Sequence, residues 1–413
     1  MLSDSPLSLL DSPAVDPALW PLDPDVVFLN HGSFGSCPQA VLARQDGLRR
    51  RLERQPVRFM VRELEGLLNA SRHALAGFVG AEADDLVLIP NATTGVNAVL
   101  RSLSFEAGDE LLVTDHEYNA CRNVLNFVAE RSGARVVVAK VPFPLRSADD
   151  FTGSVMAAVT PRTRLALIDH VTSQTGLVLP VAEIVRRLSA RGVEVLVDGA
   201  HAPGMVPLDL QSLGAAFYTA NCHKWMCAPK GAAFLHVRRD LQPRIRPTVI
   251  SHGANSPRTD RSRFQIEFAW MGTNDLSAVL SIPAAIDFMS KLLPGGWPAV
   301  MEHNRRLALA GREVLCRALG IEAPCPDGMI GSLASVPIPD ADSCEPPKSA
   351  LYLDPWQDVL MDRHRIEVPI MPWPAPPKRL LRISAQVYNS LPQYEQLAKG
   401  LAELVREKAS PAR

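Results

Sequence analysis

The stretch Asn221–Gly231, NCHKWMCAPKG, follows an apolar run at Ala215–Thr219. It belongs with an earlier run, Val193–Val197 (VEVLV), that closes on Asp198-Gly199-Ala200-His201. Short β-branched runs of this kind read as buried parallel strands, and polar residues just past their C-terminal ends face the crevice where α/β sheets bind ligands. With both runs in one sheet, Asp198, His201, Asn221, His223 and Lys224 come to the same edge. A lysine between a histidine and a tryptophan, after an apolar strand, is poorly placed for solvation. Desolvation disfavours the ammonium form and makes such a lysine an amine nucleophile. A Schiff-base lysine needs a carboxylate that keeps a pyridinium nitrogen protonated, and Asp198 is the candidate. Together these residues read as a site for pyridoxal 5'-phosphate (PLP).

The chain upstream repeats the pattern. Leu86–Ile89, Glu110–Thr114, Arg135–Val141 and Arg164–Ile168 are apolar runs separated by helical spacing, which predicts a mostly parallel sheet with helices on both faces. Chemistry-bearing residues fall just after the strands: His116 and Tyr118 after the second of these, Gln174 after the fourth. After Leu86–Ile89 come Asn91-Ala92-Thr93-Thr94-Gly95 and a helix. Backbone N–H groups and the helix dipole favour a phosphate there, and the Thr93 and Thr94 hydroxyls add donors. Thr93 or Thr94 also suits an ordinary N-cap. No lysine follows Gly95, so this is not a Walker loop. Asn30-His31-Gly32-Ser33-Phe34-Gly35 reads as a tight loop whose backbone can approach a ligand.

Residues 1–25, rich in Pro and Asp, form an expected N-terminal arm, 26–293 a large domain and 294–413 a small C-terminal α+β domain, with the break at Pro294-Gly295-Gly296. Helices are expected at about 298–319, 350–363 and 391–407, and the Arg-rich segment Ser251–Phe268 as a long surface stretch. Arg382, inside the apolar strand LLRIS, is either paired structurally or reserved for an anionic substrate.

Composition narrows the function classes. Lys+Arg 43 against Asp+Glu 44 leaves no net field for nucleic acid or an acidic membrane surface. No apolar run approaches the ~20 residues of a membrane span. The N-terminus carries acids where a secretory signal would be basic, so a cytoplasmic protein is expected. Seven scattered cysteines without C-x-x-C spacing argue against a disulfide framework and a metal site.

At FLNHGSFGSCP, NATTGVNAVL, DHEYNA, DHVTSQTG, VDGAHAPG, NCHKWMCAPKG, FAWMGTND and LLRISAQVYN, spanning roughly 28–390, the chain resembles the class V branch of the fold-type I PLP enzymes, and within it the isopenicillin N epimerase-like proteins. The resemblance implies that Lys224 carries the cofactor, Asp198 pairs with the pyridine nitrogen, and His116 stacks on the ring. It puts His201 and Gln174 near the phenolic oxygen, and Thr93, Thr94, Asn221 and His223 on the phosphate. Thr273 would reach the phosphate of another subunit, implying a homodimer with active sites at its interface. Arg382 would bind the substrate α-carboxylate, with Asn30, His31 and Tyr118 shaping the pocket.

The expected activity is epimerisation at Cα of an amino acid, with Lys224 as one base and Tyr118 or His31 as a second. C–S lyase, desulfhydrase and aminotransferase activities occur in the same branch and stay open. Cysteine desulfurases carry a mobile cysteine shortly before the carboxylate-binding arginine, and Arg365–Arg382 contains none. From a different class, a PLP-fold binding protein without catalysis would lack the lysine or the aspartate; both are present. A nucleotide site built on NATTG is weaker still, with no G-x-G-x-x-G after a strand.

Overall fold

The computed structural model describes residues 10–345 and 354–409. Its strands, in chain order, are β1 (Val27–Phe28), β2 (Leu86–Ile89), β3 (Glu110–Thr114), β4 (Arg135–Ala139), β5 (Thr163–Asp169) and β6 (Glu194–Asp198). They continue with β7 (Phe217–Asn221), β8 (Ala233–Val237), β9 (Leu333–Ile338), β10 (Ile366–Glu367), β11 (Ile370–Pro372) and β12 (Arg379–Ser384). Seven of them form the main sheet in the order β2-β8-β7-β6-β5-β3-β4. Only β8 runs against the rest, pairing antiparallel with both β2 and β7.

The central strands are apolar on both sides because both faces of the sheet are covered there. Val195 and Val197 of β6 join one core while Leu196 joins the other; in β5, Ala166 and Ile168 part from Leu165 and Leu167 in the same way. β5 and β6 pair in parallel with Asp169 opposite Asp198, and β6 pairs with β7 with Asp198 opposite Thr219. The expected edge therefore exists: the C-terminal ends of β5, β6 and β7 stand side by side. Because β8 doubles back on β7, NCHKWMCAPKG becomes the connection of an antiparallel pair at that edge.

A three-stranded antiparallel sheet, β11-β12-β9, lies in the C-terminal part, with Arg382 opposite Ser335. Helices Gly296–Leu319 and Leu391–Ala409 pack together beside it. β1 pairs in parallel with β10, Val27 to Ile366, so an N-terminal strand is stitched to the C-terminal part. One apolar core runs from Leu10 and Trp20 through β6 to Leu401, joining the main sheet to this region.

Two local expectations differ. Asn30–Gly35 is not a loop: His31–Phe34 form a single helical turn ended by Gly35 at φ 70. Ser251–Phe268 is surface chain only in its first part, since Arg263–Ala269 is a helix that buries Phe264 and Phe268. Its arginines are paired, Arg258 and Arg261 with Glu65 and Arg263 with Glu267. The expected helix at about 350–363 lies partly outside the described residues; within them it runs Pro355–His364. No described helix is long and apolar enough to cross a membrane.

Candidate active site

A cavity of about 340 Å³ opens at the C-terminal ends of β5, β6 and β7. Lys224 lines it, with Asp198, His201, Asn221, His223 and Thr93. The elements explain why they meet. Asn221 ends β7, and its Oδ1 accepts the Ala92 N–H at 2.8 Å, fastening the strand end to the N-terminus of helix Ala92–Ser102. Asn91, not Thr93 or Thr94, caps that helix, accepting the Thr94 N–H at 2.8 Å, because both threonines already lie in its first turn. Gly95 allows the helix to sit this low: a Cβ there would lie 2.1 Å from Thr219 Oγ1 on β7.

The amine of Lys224 lies 3.1 Å from His201 Nε2. Burial, reinforced by the positive charge of Arg382 and opposed by Asp198, lowers its pKa to about 7. At neutral pH a large share of the amine is therefore uncharged, which a nucleophile or base needs. Asp198 is 3% exposed. Its Oδ1 accepts the Ala200 N–H at 3.0 Å and its Oδ2 lies 3.1 Å from Cys121 Sγ. Burial raises its pKa, and these hydrogen bonds and Lys224 hold it back. His223, bonded to Ala232 O, is pushed down to about 4 by burial and then by Lys224.

Arg382 is 3% exposed and reaches the cavity wall through two serines. It donates to Ser173 O at 2.6 Å and to Ser33 Oγ at 3.0 Å, and both serines line the cavity. Among the described residues its Nε has no hydrogen-bond partner and it makes no salt bridge. Burial lowers its pKa to about 10, yet it remains a cation at any ordinary pH. A buried guanidinium without a counter-ion is a site for an anion.

Several expected residues lie elsewhere. His116 does not line the cavity; it is fully buried, its Nδ1 with Thr175 Oγ1 and its Nε2 with Val141 O, among Phe143, Phe151 and Trp373. Both ring nitrogens are used, and the three aromatic rings meet it at steep angles. His31 stands behind the site, bonding Tyr388 OH at 2.7 Å and the Lys224 carbonyl at 3.1 Å. Asn30 joins Glu367 to Ser33, and so supports the serine that holds Arg382. Gln174 is not a lining residue; its carbonyl accepts from Ser335 Oγ. Thr94 faces a neighbouring groove of about 440 Å³, which also holds the exposed Thr273. Tyr118 lines the cavity as expected.

Four further residues belong to the site. Ser33 and Ser173 sit inside quoted motifs, but a serine that orients an arginine 349 and 209 residues away leaves no local trace. Asp169 had a usable signal, an acid closing an apolar strand as Asp198 does. It lines the cavity beside Asp198, and Glu117 is buried within hydrogen-bonding reach of it.

A phosphate needs N–H and hydroxyl donors, a pyridine nitrogen a buried carboxylate, and an aldehyde an uncharged amine. One cavity presents all three. The family model for Aminotransferase class-V matches residues 35–397. The chain belongs to that family. Its cofactor is PLP. It is 37% identical over 397 residues to an isopenicillin N epimerase of Amycolatopsis lactamdurans, covering 93% of this chain and 96% of that one. It is 30% identical over 414 residues to an L-cysteine desulfhydrase of Arabidopsis thaliana, covering 93% and 88%. A solved C-DES variant with glycine covalently linked to its PLP cofactor superposes with a TM-score of 0.75 at 23% identity, over 94% of this chain and 99% of that one.

Proposed function

We propose that this member of the family acts at Cα of an amino acid bearing a free carboxylate, as an epimerase. The observation that carries the reading is one cavity lined by the buried Lys224 amine and by Asp198, with Arg382 held at its wall by Ser33 and Ser173. PLP, when bound, supplies a sink for the electron pair left at Cα. Asp198 would keep a proton on the ring nitrogen. The N-terminus of helix Ala92–Ser102, with Thr93, Asn221 and His223, would hold the phosphate. Arg382, set by Ser33 and Ser173, would orient the substrate carboxylate, and Lys224 would take the Cα proton. An epimerase must return a proton on the opposite face, and Tyr118, which lines the cavity, is the residue we assign to it.

Likeness to the epimerase supports this reading, and the desulfhydrase supports the rival, β-elimination with a leaving group at Cβ. Among the described residues no cysteine lines the cavity, which argues against persulfide transfer. Thr273, exposed and outside its own chain's cavity, supports the reading that a second copy uses it in a homodimer.

A proton NMR time course in D2O with L-amino acids, cysteine and its S-conjugates, and small peptides with a free amino-acid end tests the proposal. Loss of the Cα proton signal followed by the D-form is the expected result. Build-up of a keto acid with released thiol or sulfide would replace epimerisation by elimination.

A further inference from the structure

The His201 side chain stands between two nitrogen atoms. Trp225 Nε1 donates to its Nδ1 at 3.4 Å, and Lys224 Nζ lies 3.1 Å from its Nε2. An indole N–H can only donate. Whatever meets it must present a lone pair, so Nδ1 is the unprotonated nitrogen and the proton of the neutral ring sits on Nε2. That proton points at the lysine amine, and the contact is a hydrogen bond only when the amine offers a lone pair of its own. An ammonium there would set two donors against each other.

We propose that Trp225 is a positioning residue: by fixing His201 as the Nε2–H tautomer it holds the Lys224 amine in its neutral, lone-pair-bearing form. This rests on Lys224 being the reactive amine. The other arrangements each break the same contact. Moving the His201 proton to Nδ1, or protonating both nitrogens, aims an N–H at the indole, and Trp225 is only 1% exposed. Its N–H would then be stranded away from water.

The fold leaves Trp225 little freedom to move away. Cys227 N–H bonds back to the Lys224 carbonyl at 3.0 Å, making a tight turn of the segment that carries the indole. Its side chain is enclosed by Val171, Met205 and Leu333, with the His31 ring at 5.1 Å. Across from it, Gly204 brings the loop after β6 so close that a Cβ would lie 2.6 Å from the Trp225 carbonyl.

The charged and titratable groups facing the pair are Arg382, Asp198 and the Cys121 thiol toward Lys224, and Arg382 and the His223 imidazole toward His201. Arg382 already opposes a positive charge on either ring or amine. The indole adds a directional effect that the cations cannot supply, because it acts on which nitrogen of His201 carries the proton. Trp225→Phe should therefore raise the pKa of both Lys224 and His201.

The test uses the full-length protein with its histidine rings labelled with nitrogen-15, with and without PLP. In the wild type, His201 should show a protonated Nε2 and a hydrogen-bonded, unprotonated Nδ1. A protonated Nδ1 in the wild type overturns the proposal with no variant needed. In Trp225→Phe the tautomer preference should weaken or reverse. The rate at which PLP-free protein captures added PLP should rise with pH through about 7 in the wild type, and about one unit higher in the variant. An unmoved midpoint with an unmoved tautomer also overturns it. Failure of the underlying site reading looks different: Lys224→Ala would then still develop the visible absorbance of lysine-bound PLP.

Discussion

Arg382 meets Ser33 Oγ at 3.0 Å across 349 residues of chain, and neither brings a carboxylate to the contact. A guanidinium removed from water without a counter-charge costs free energy. The cost is understandable when substrate supplies the anion. Arg382→Ala should weaken binding of carboxylate substrates by roughly two to three orders of magnitude, while the visible absorbance of bound PLP persists. Substrate titration beside a cofactor spectrum measures both. Equal loss of the two would make the arginine structural.

The carboxyls of Glu117 and Asp169 are both pushed well above their ordinary values. Burial is the main cause for each, followed by neighbouring carboxylates: Asp169 and Asp198 for Glu117, Asp198 for Asp169. The native protein therefore holds protons that the unfolded chain has released above the ordinary carboxyl range. Their contribution to stability is present at low pH and is lost as pH rises toward the raised values. Glu117→Gln keeps the shape without the ionisation, so its stability should decline less steeply on the alkaline side. Denaturant midpoints at a series of pH values would show this, and parallel curves would refute it.

Buried histidines act with the opposite sign. His31, His170 and His236 are each lowered from 6.5 to about 4, chiefly by burial. As pH falls through 6.5 the unfolded chain takes up protons that the native state refuses, so stability drops toward pH 4. His236 is 6% exposed, and among the described residues its Nδ1 has no hydrogen-bond partner. His236→Leu should recover part of that acid loss, up to about 3 kcal/mol at pH 4. Thermal melts at pH 4.5 and 7.5, compared with the wild type, decide it.

Gly95 is where the helix carrying Thr93 touches the sheet. A Cβ there would lie 2.1 Å from Thr219 Oγ1 and 2.9 Å from Ile89 Cδ1. Gly95→Ala should cost about 1–3 kcal/mol by overpacking and weaken PLP binding, since the same shift moves the helix N-terminus. A variant with the wild-type melting temperature and PLP affinity would show that the contact yields.

The neighbourhood of Lys224 and Asp198 was legible in the sequence because it depends on short-range facts. Strand ends follow from apolar runs, and a parallel sheet puts those ends on one edge. His116 and His31 were not legible in the same way. Both follow short apolar runs and carry the right functional group, yet each is turned inward to partners far along the chain, Thr175 and Val141 for the one and Tyr388 for the other. A strand-end position specifies an edge but not the direction a loop side chain takes after leaving it. That direction is set by which distant donors and acceptors are available for a buried ring.

The sequence by itself determined the alternating α/β pattern, the lysine and aspartate near adjacent strand ends, and the small polar residues that open helix Ala92–Ser102. Hydrophobic periodicity and backbone sterics act within a few residues, so they can be read locally. Only the tertiary structure decided that Ser33 and Ser173 present Arg382, that Asp169 and Glu117 crowd Asp198, and that Trp225 and Lys224 share His201. Those contacts join segments tens to hundreds of residues apart, and their geometry exists only once the core has brought the segments together.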